Sequence, residues 1–166
     1  MNACSIVEYS PVYKQAVLEL IIDIQTKEFN LPITLSDQPD LQDIPAFYQQ
    51  GYGNFWLALL DNKVIGTIAL IDINNAQSAL RKMFVAKQYR GRDPGIAQQL
   101  LNNIIQWCKL KNIQEIYLGT VSMMQAAQRF YEKNGFFAIT QAELPEKFPL
   151  MKVDTKFYLC RPIAER

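Results

Sequence analysis

Two strand-like runs separated by one strongly periodic helix constrain this chain more than any other feature. Ala97, Leu100, Leu101, Ile104, Ile105 and Cys108 recur at the three- and four-residue steps of a single helix face. An apolar run from Ala79 to Ala86 precedes them, and another from Glu115 to Val121 follows. A helical crossover returns the chain to the same end of a sheet, so these two strands must run parallel. The turn into the helix reads Arg90-Gly91-Arg92-Asp93-Pro94-Gly95-Ile96-Ala97. A basic, glycine-containing turn ahead of a helix suits a phosphate. The first helical N–H groups lack partners and carry partial positive charge, glycine permits close approach, and Arg90 and Arg92 add charge-assisted bonds. The plainer reading is a solvated turn with Asp93 as N-cap and Pro94 as the first helical residue, in which the Asp93 carboxylate would repel a phosphate.

Elsewhere the pattern yields short elements. Cys4 to Glu8 reads as a first strand, and Pro11 opens a helix whose buried face holds Tyr13, Val17, Leu20, Ile21 and Ile24. Phe29 to Pro45 is loop-like and acidic, and Asp40 or Asp43 caps a helix running to about Gln50. Phe55 to Leu60 and Val64 to Asp72 form a hairpin around Asp61-Asn62-Lys63. A short helix through Lys133 leads to strands at Phe136 to Thr140 and Lys156 to Cys160, which succeed each other as an antiparallel pair. The order predicts a mixed sheet flanked by helices, with no linker dividing residues 1 to 166 into more than one domain. The aromatic residues Phe47, Tyr48, Tyr52, Phe55 and Trp56 read as core, or as a wall of a substrate pocket.

Composition narrows the chemistry. The chain has 166 residues, 49% of them apolar, and a net charge of +1, which lacks the basic footprint of a general nucleic-acid binder. No run approaches a membrane span and the N-terminus has no signal-peptide pattern, so a cytoplasmic protein without a membrane partner is expected. Cys4, Cys108 and Cys160 are odd in number and lack metal-type spacing, which reads as free thiols. There is no histidine. Ser-His-Asp and Cys-His triads and His-rich zinc sites are thereby excluded, no metal site is expected, and acid–base work falls to carboxylates, tyrosine, lysine, cysteine or water.

The combination of Arg92, Gly95 and Ala97 (R-x-x-G-x-A) with a later Tyr131-Glu132-Lys133-Asn134-Gly135-Phe136 ending resembles the GNAT N-acetyltransferase superfamily. That resemblance covers Ala79 to Ile139 firmly. It implies an α/β (α+β) fold: a mixed, mostly antiparallel sheet with a central splayed parallel strand pair, flanked by helices. It also implies acetyl-CoA as co-substrate, a small-molecule or peptide amine as acceptor, direct transfer in a ternary complex, and a possible homodimer. The backbones of Met83, Phe84 and Val85 would face the pantetheine arm, and the segment Arg90, Gly91, Arg92, Asp93, Pro94, Gly95, Ile96 and Ala97 the pyrophosphate. Tyr131 would protonate the departing thiolate. Two features depart from the family pattern. The loop is longer than the usual Arg-Gly-x-Gly-x-Gly, and Met124 stands where the family often has a CoA-contacting Asn. The base that deprotonates the amine is left open among Glu28, Asp72, the acidic loop, and water. A non-catalytic acyl-CoA sensor is the alternative, and a different phosphate-ligand binder or a ligand-free structural partner also stays open.

Overall fold

The computed structural model describes residues 4–91 and 95–163. Seven strands form one sheet in the order β1-β2-β3-β4-β5-β7-β6 among these residues. They are β1 (Ser5–Glu8), β2 (Asn54–Leu60), β3 (Lys63–Asp72), β4 (Gln77–Val85), β5 (Glu115–Thr120), β6 (Phe137–Ile139) and β7 (Lys156–Cys160). Only β4 and β5 pair in parallel, as the crossover between them requires; the other neighbours are antiparallel.

Alternation along the strands places a different helix layer on each face. Phe55, Leu57 and Leu59 of β2 point towards α1 (Lys14–Asp23), α2 (Pro39–Gln42) and α3 (Ile44–Tyr48), where Val17, Ile21, Leu41, Ile44 and Tyr48 are buried. Trp56 and Ala58 point the other way, towards α4 (Ile96–Lys111). The stripe expected for α4 is buried at Leu100, Leu101, Ile104 and Cys108. Each such aliphatic side chain contributes about 1.5–3 kcal/mol through burial. The aromatic residues of the second helix and hairpin are therefore not one cluster. Tyr48 and Phe55 pack edge-to-face at 5.3 Å on one side of the sheet, Trp56 meets Trp107 on the other, and Phe47 and Tyr52 are exposed.

Local differences from the sequence reading have local causes. The hairpin turn has two residues, Asp61 and Asn62, both at positive φ, because Leu60 and Lys63 already pair. The helix expected up to Gln50 is broken into α2 and α3, since Pro45 can neither donate to nor fit against the preceding turn. Asp43 caps α3 through the Ala46 N–H, as one of the two candidates. The N-terminal helix opens with a 3-10 turn at Pro11–Tyr13 and ends in a π-helical turn, Ile24–Glu28. π turns are rare and recur at functional sites. The long crossover helix starts at Ile96 with Gly95 at its N-cap in a left-handed conformation (φ 70°). That start is two residues later than the sequence pattern placed it.

Candidate active site

The parallel pair parts almost as soon as it forms. β4 and β5 pair through Gln77, Ser78 and Ala79 only, opposite Glu115 to Tyr117. Past that point β4 carries a bulge, where the register with β3 shifts between Thr67 and Ala69 and Lys82 sits at φ 53°. A bulge adds a residue, bends its strand and breaks strict alternation. The Thr67 hydroxyl holds the bend by donating to the Lys82 carbonyl at 2.6 Å.

Two adjacent cavities with shared walls occupy the opening. The outer one, about 360 Å³, runs between Met83–Val85 of β4 and α5 (Gln125–Lys133), with Ile24, Phe29 and Arg90 along its rim. The inner one, about 120 Å³, lies beneath the 144–155 loop and the Leu31–Ile33 stretch. Met83, Phe84, Met124, Ala127 and Tyr131 line both. Just past β4, the Ala86 N–H donates to the Ile65 carbonyl of β3. By alternation the polar groups of Phe84 also face β3, and those of Met83 and Val85 face the cavity.

Tyr131 stands where the cavities meet. A Schellman motif ends α5: the Phe136 N–H donates to Tyr131 O at 3.0 Å and the Gly135 N–H to Glu132 O at 3.4 Å, with Gly135 at φ 89°. The Phe136 ring then packs on Tyr131 at 5.5 Å, with Tyr158 at 6.2 Å behind it. The hydroxyl is left to donate to the Met83 sulfur at 3.6 Å. Burial alone drives the phenol pKa well above its ordinary value, so it is a proton-bearing group throughout the neutral range.

A model of the Acetyltransferase (GNAT) family matches residues 18–136. The chain belongs to the GNAT family. A GNAT acetyltransferase structure from Staphylococcus aureus Mu50 is 44% identical, with a TM-score of 0.93, and 96% of this chain and 99% of that one are covered. An acetyltransferase structure from Streptococcus agalactiae is 30% identical, with a TM-score of 0.90 over 95% and 98% of the two chains. N-acetylaspartate synthetase of Danio rerio is 34% identical over 106 residues, 63% of this chain and 37% of that protein. The chain thus spans little more than a third of that relative's length.

Within this GNAT fold the expected cofactor residues are distributed unevenly. Gly91 is exposed at φ 116°, Gly95 caps α4, Ile96 is buried beneath it, and Ala97 reaches the outer cavity. Arg92, Asp93 and Pro94 lie outside the described residues. Arg90 is already engaged: its Nε donates to the Val85 carbonyl at 2.8 Å, and its two Nη groups clamp the Glu28 carboxylate, one of them at 2.7 Å. The guanidinium also lies 5.9 Å from the Phe29 ring. That clamp leaves the Met83 amide and carbonyl and the Val85 N–H as the backbone groups facing the cavity. Met124 places a thioether at the N-cap of α5, with Thr120 as its weak donor at 3.9 Å.

Neither named carboxylate is placed to serve as a base. The hydrogen bond from Arg90 holds Glu28 below the usual carboxylate range despite an opposing effect of burial. Asp72 accepts from the Tyr52 and Asn74 N–H groups and lines neither cavity. The charged groups that do line the inner cavity are Arg81, Lys82 and Asp154. Burial raises the Asp154 pKa, opposed by the Met151 N–H and by the charges of Arg81 and Lys82. Its carboxylate lies so close to β5 that a Cβ on Gly119 would stand 2.6 Å from Oδ2.

Beneath the cavity runs a buried polar network. Lys82 Nζ donates to Gln38 Oε1 and lies 3.5 Å from Asp40, and the Tyr48 hydroxyl donates to Asp40. Gln25, displaced inward on the π turn, exchanges two hydrogen bonds with Gln38. Burial lowers the Lys82 pKa to about 8 even though Asp40 pulls it up. The sequence reading placed Asp40 as a cap, or as one of the acidic-loop candidates for the base, and passed over Lys82. The available signal was a pair of charges, Arg81-Lys82, inside an apolar strand.

Proposed function

We propose that this GNAT enzyme moves an acetyl group from acetyl-CoA directly to a small primary amine, with the donor in the outer cavity and the acceptor in the inner one. The carrying observation is the Tyr131 hydroxyl, fixed at the junction and already donating to a sulfur. A departing CoA thiolate requires that same donor, and general acid assistance is worth about 10²–10⁴-fold. Bound acetyl-CoA supplies the activated acyl group as its thioester. Met83 and Val85 offer strand-edge groups to the pantetheine amides, as in strand addition. The first N–H groups of α4 offer partial positive charge to a phosphate.

Asp154 is the group we assign to take the proton from the acceptor nitrogen. Its raised pKa narrows the gap to an ammonium and favours the transfer. Direct transfer is favoured over an acyl-cysteine route because no described cysteine lines either cavity, and burial pushes the Cys108 thiol up to about 12. Cys4 and Cys108 are free thiols, as a reducing compartment keeps them, which supports a cytoplasmic setting. Among the described residues no helix is long and apolar enough to cross a membrane.

Calorimetric titration with acetyl-CoA, using ATP as control, tests the donor half. Binding of acetyl-CoA alone is expected, and binding of neither would remove the assignment. Asp154→Asn is expected to lower kcat/KM about 100-fold with acetyl-CoA affinity unchanged. In the wild type, activity should fall on acidification as the carboxylate gains its proton, at a pH above that of an ordinary aspartate. The Asn variant should lose this limb, and a limb that persists would assign the base elsewhere. Gly119→Ala should mimic part of the defect by displacing the carboxylate from β5, measured as reduced kcat at unchanged Tm.

A further inference from the structure

We propose that the inner cavity selects a small amine that also carries a carboxylate, and that Arg81 receives the carboxylate. This deepens the acetyltransferase reading and rests on it. The cavity's volume, about 120 Å³, is the first constraint. An apolar cavity of about 150 Å³ holds a benzene molecule, so this space suits an acceptor of only a few heavy atoms.

Charge is the second constraint. Lys82 also lines the cavity, but its ammonium is committed to Asp40 and Gln38. Arg81 is not committed in this way. Its Nη2 donates to the Met151 thioether at 2.9 Å, and no carboxylate lies within ion-pair distance of it among the described residues. Thioether sulfur is a weak acceptor, and a guanidinium carries five N–H donors in a fork shaped for a carboxylate. Besides the charge of Asp154 across the cavity, this half-buried guanidinium has only that thioether to bond, so a ligand carboxylate would complete its donor set among the described residues.

The third constraint is the position of Asp154 on the same cavity. An acceptor with opposite charges at its two ends satisfies both groups at once, its carboxylate at Arg81 and its amino end at Asp154. A polyamine or other polycation would instead meet Arg81 and the buried Lys82 charge. Leu31, Ile33, Phe148 and Val153 supply an apolar wall for a short hydrocarbon portion. Small amino acids are therefore the favoured acceptor class.

The test uses the intact enzyme, acetyl-CoA, a panel of amino acids, the decarboxylated amine of each, and spermidine. At least one amino acid should exceed its decarboxylated partner in kcat/KM by about 100-fold or more. Arg81→Leu should reduce that preference about 10- to 100-fold, the range for losing hydrogen bonds to a charged group, chiefly through KM. Acetyl-CoA affinity should stay within twofold, which also reports that the variant folds. Arg81→Lys should recover part of the preference. Equal use of the decarboxylated amines or of spermidine would overturn the proposal, as would an unchanged preference in Arg81→Leu. Failure to bind acetyl-CoA would overturn the parent reading, and this one with it. Acetyl-CoA binding with transfer confined to amines lacking a carboxylate would overturn only this one.

Discussion

Replacing Tyr131 with phenylalanine is expected to lower kcat by about 100-fold or more while acetyl-CoA affinity stays within a few-fold. The substitution removes one oxygen and keeps the ring that Phe136 and Tyr158 hold. Among the described residues the hydroxyl donates to a thioether, a weak acceptor, so its loss costs about 1 kcal/mol of stability or less. A large kinetic effect in a folded variant would therefore report chemistry rather than collapse. Steady-state thiol release gives kcat, and calorimetry gives the donor affinity. Turnover within threefold of wild type would remove Tyr131 as the acid. The raised phenol pKa adds a second expectation. Tyr131 should impose no loss of activity on the alkaline side until well beyond the ordinary tyrosine range.

Lys82→Met should destabilise the fold by about 3–5 kcal/mol, the cost of leaving one member of a buried ion pair without the other. Both partners are almost wholly enclosed, with side-chain exposures of 3% for Lys82 and 7% for Asp40. Methionine keeps the volume, and it is as constrained at φ 53° as lysine, so the change isolates the charge. For a chain of this size the loss corresponds to a Tm lower by roughly 6–20 °C. Adding Asp40→Asn should restore part of it, because an amide in that place needs no counter-charge. Thermal unfolding of the single and double variants checks both halves. A loss below 1 kcal/mol in the single variant would show that the pair is not structural.

Much of the scaffold was legible in residue order because it depends on local periodicity. The α4 stripe, the parallel crossover and the Asp61-Asn62 hairpin each follow from spacing within one element or across one turn. The Asn134-Gly135-Phe136 ending, seen in the sequence as a helix stop, also fixes the Tyr131 ring, since the Schellman geometry joins these two positions. The start of α4 was misplaced because Pro94 marks a favourable first position, whereas the left-handed Gly95 caps the helix after it.

The polar site was not legible in this way, because it depends on register between segments distant in sequence. Asp40 belongs to an acidic stretch that spacing alone assigns to solvent, yet α2 carries it under β4 to Lys82. Glu28 is turned towards Arg90 by a π turn, a local underwinding with no periodic signature, and its candidacy as a base ends in that clamp. Asp154 reaches β5 from the far loop because Gly119 leaves room for its carboxylate. The sequence by itself therefore determined the layers and the crossover, and its family resemblance singled out Tyr131 as the candidate acid. The tertiary structure alone decided which charges meet, because apolar burial repeats with the period of its element, whereas an ion pair depends on two backbones arriving at one place.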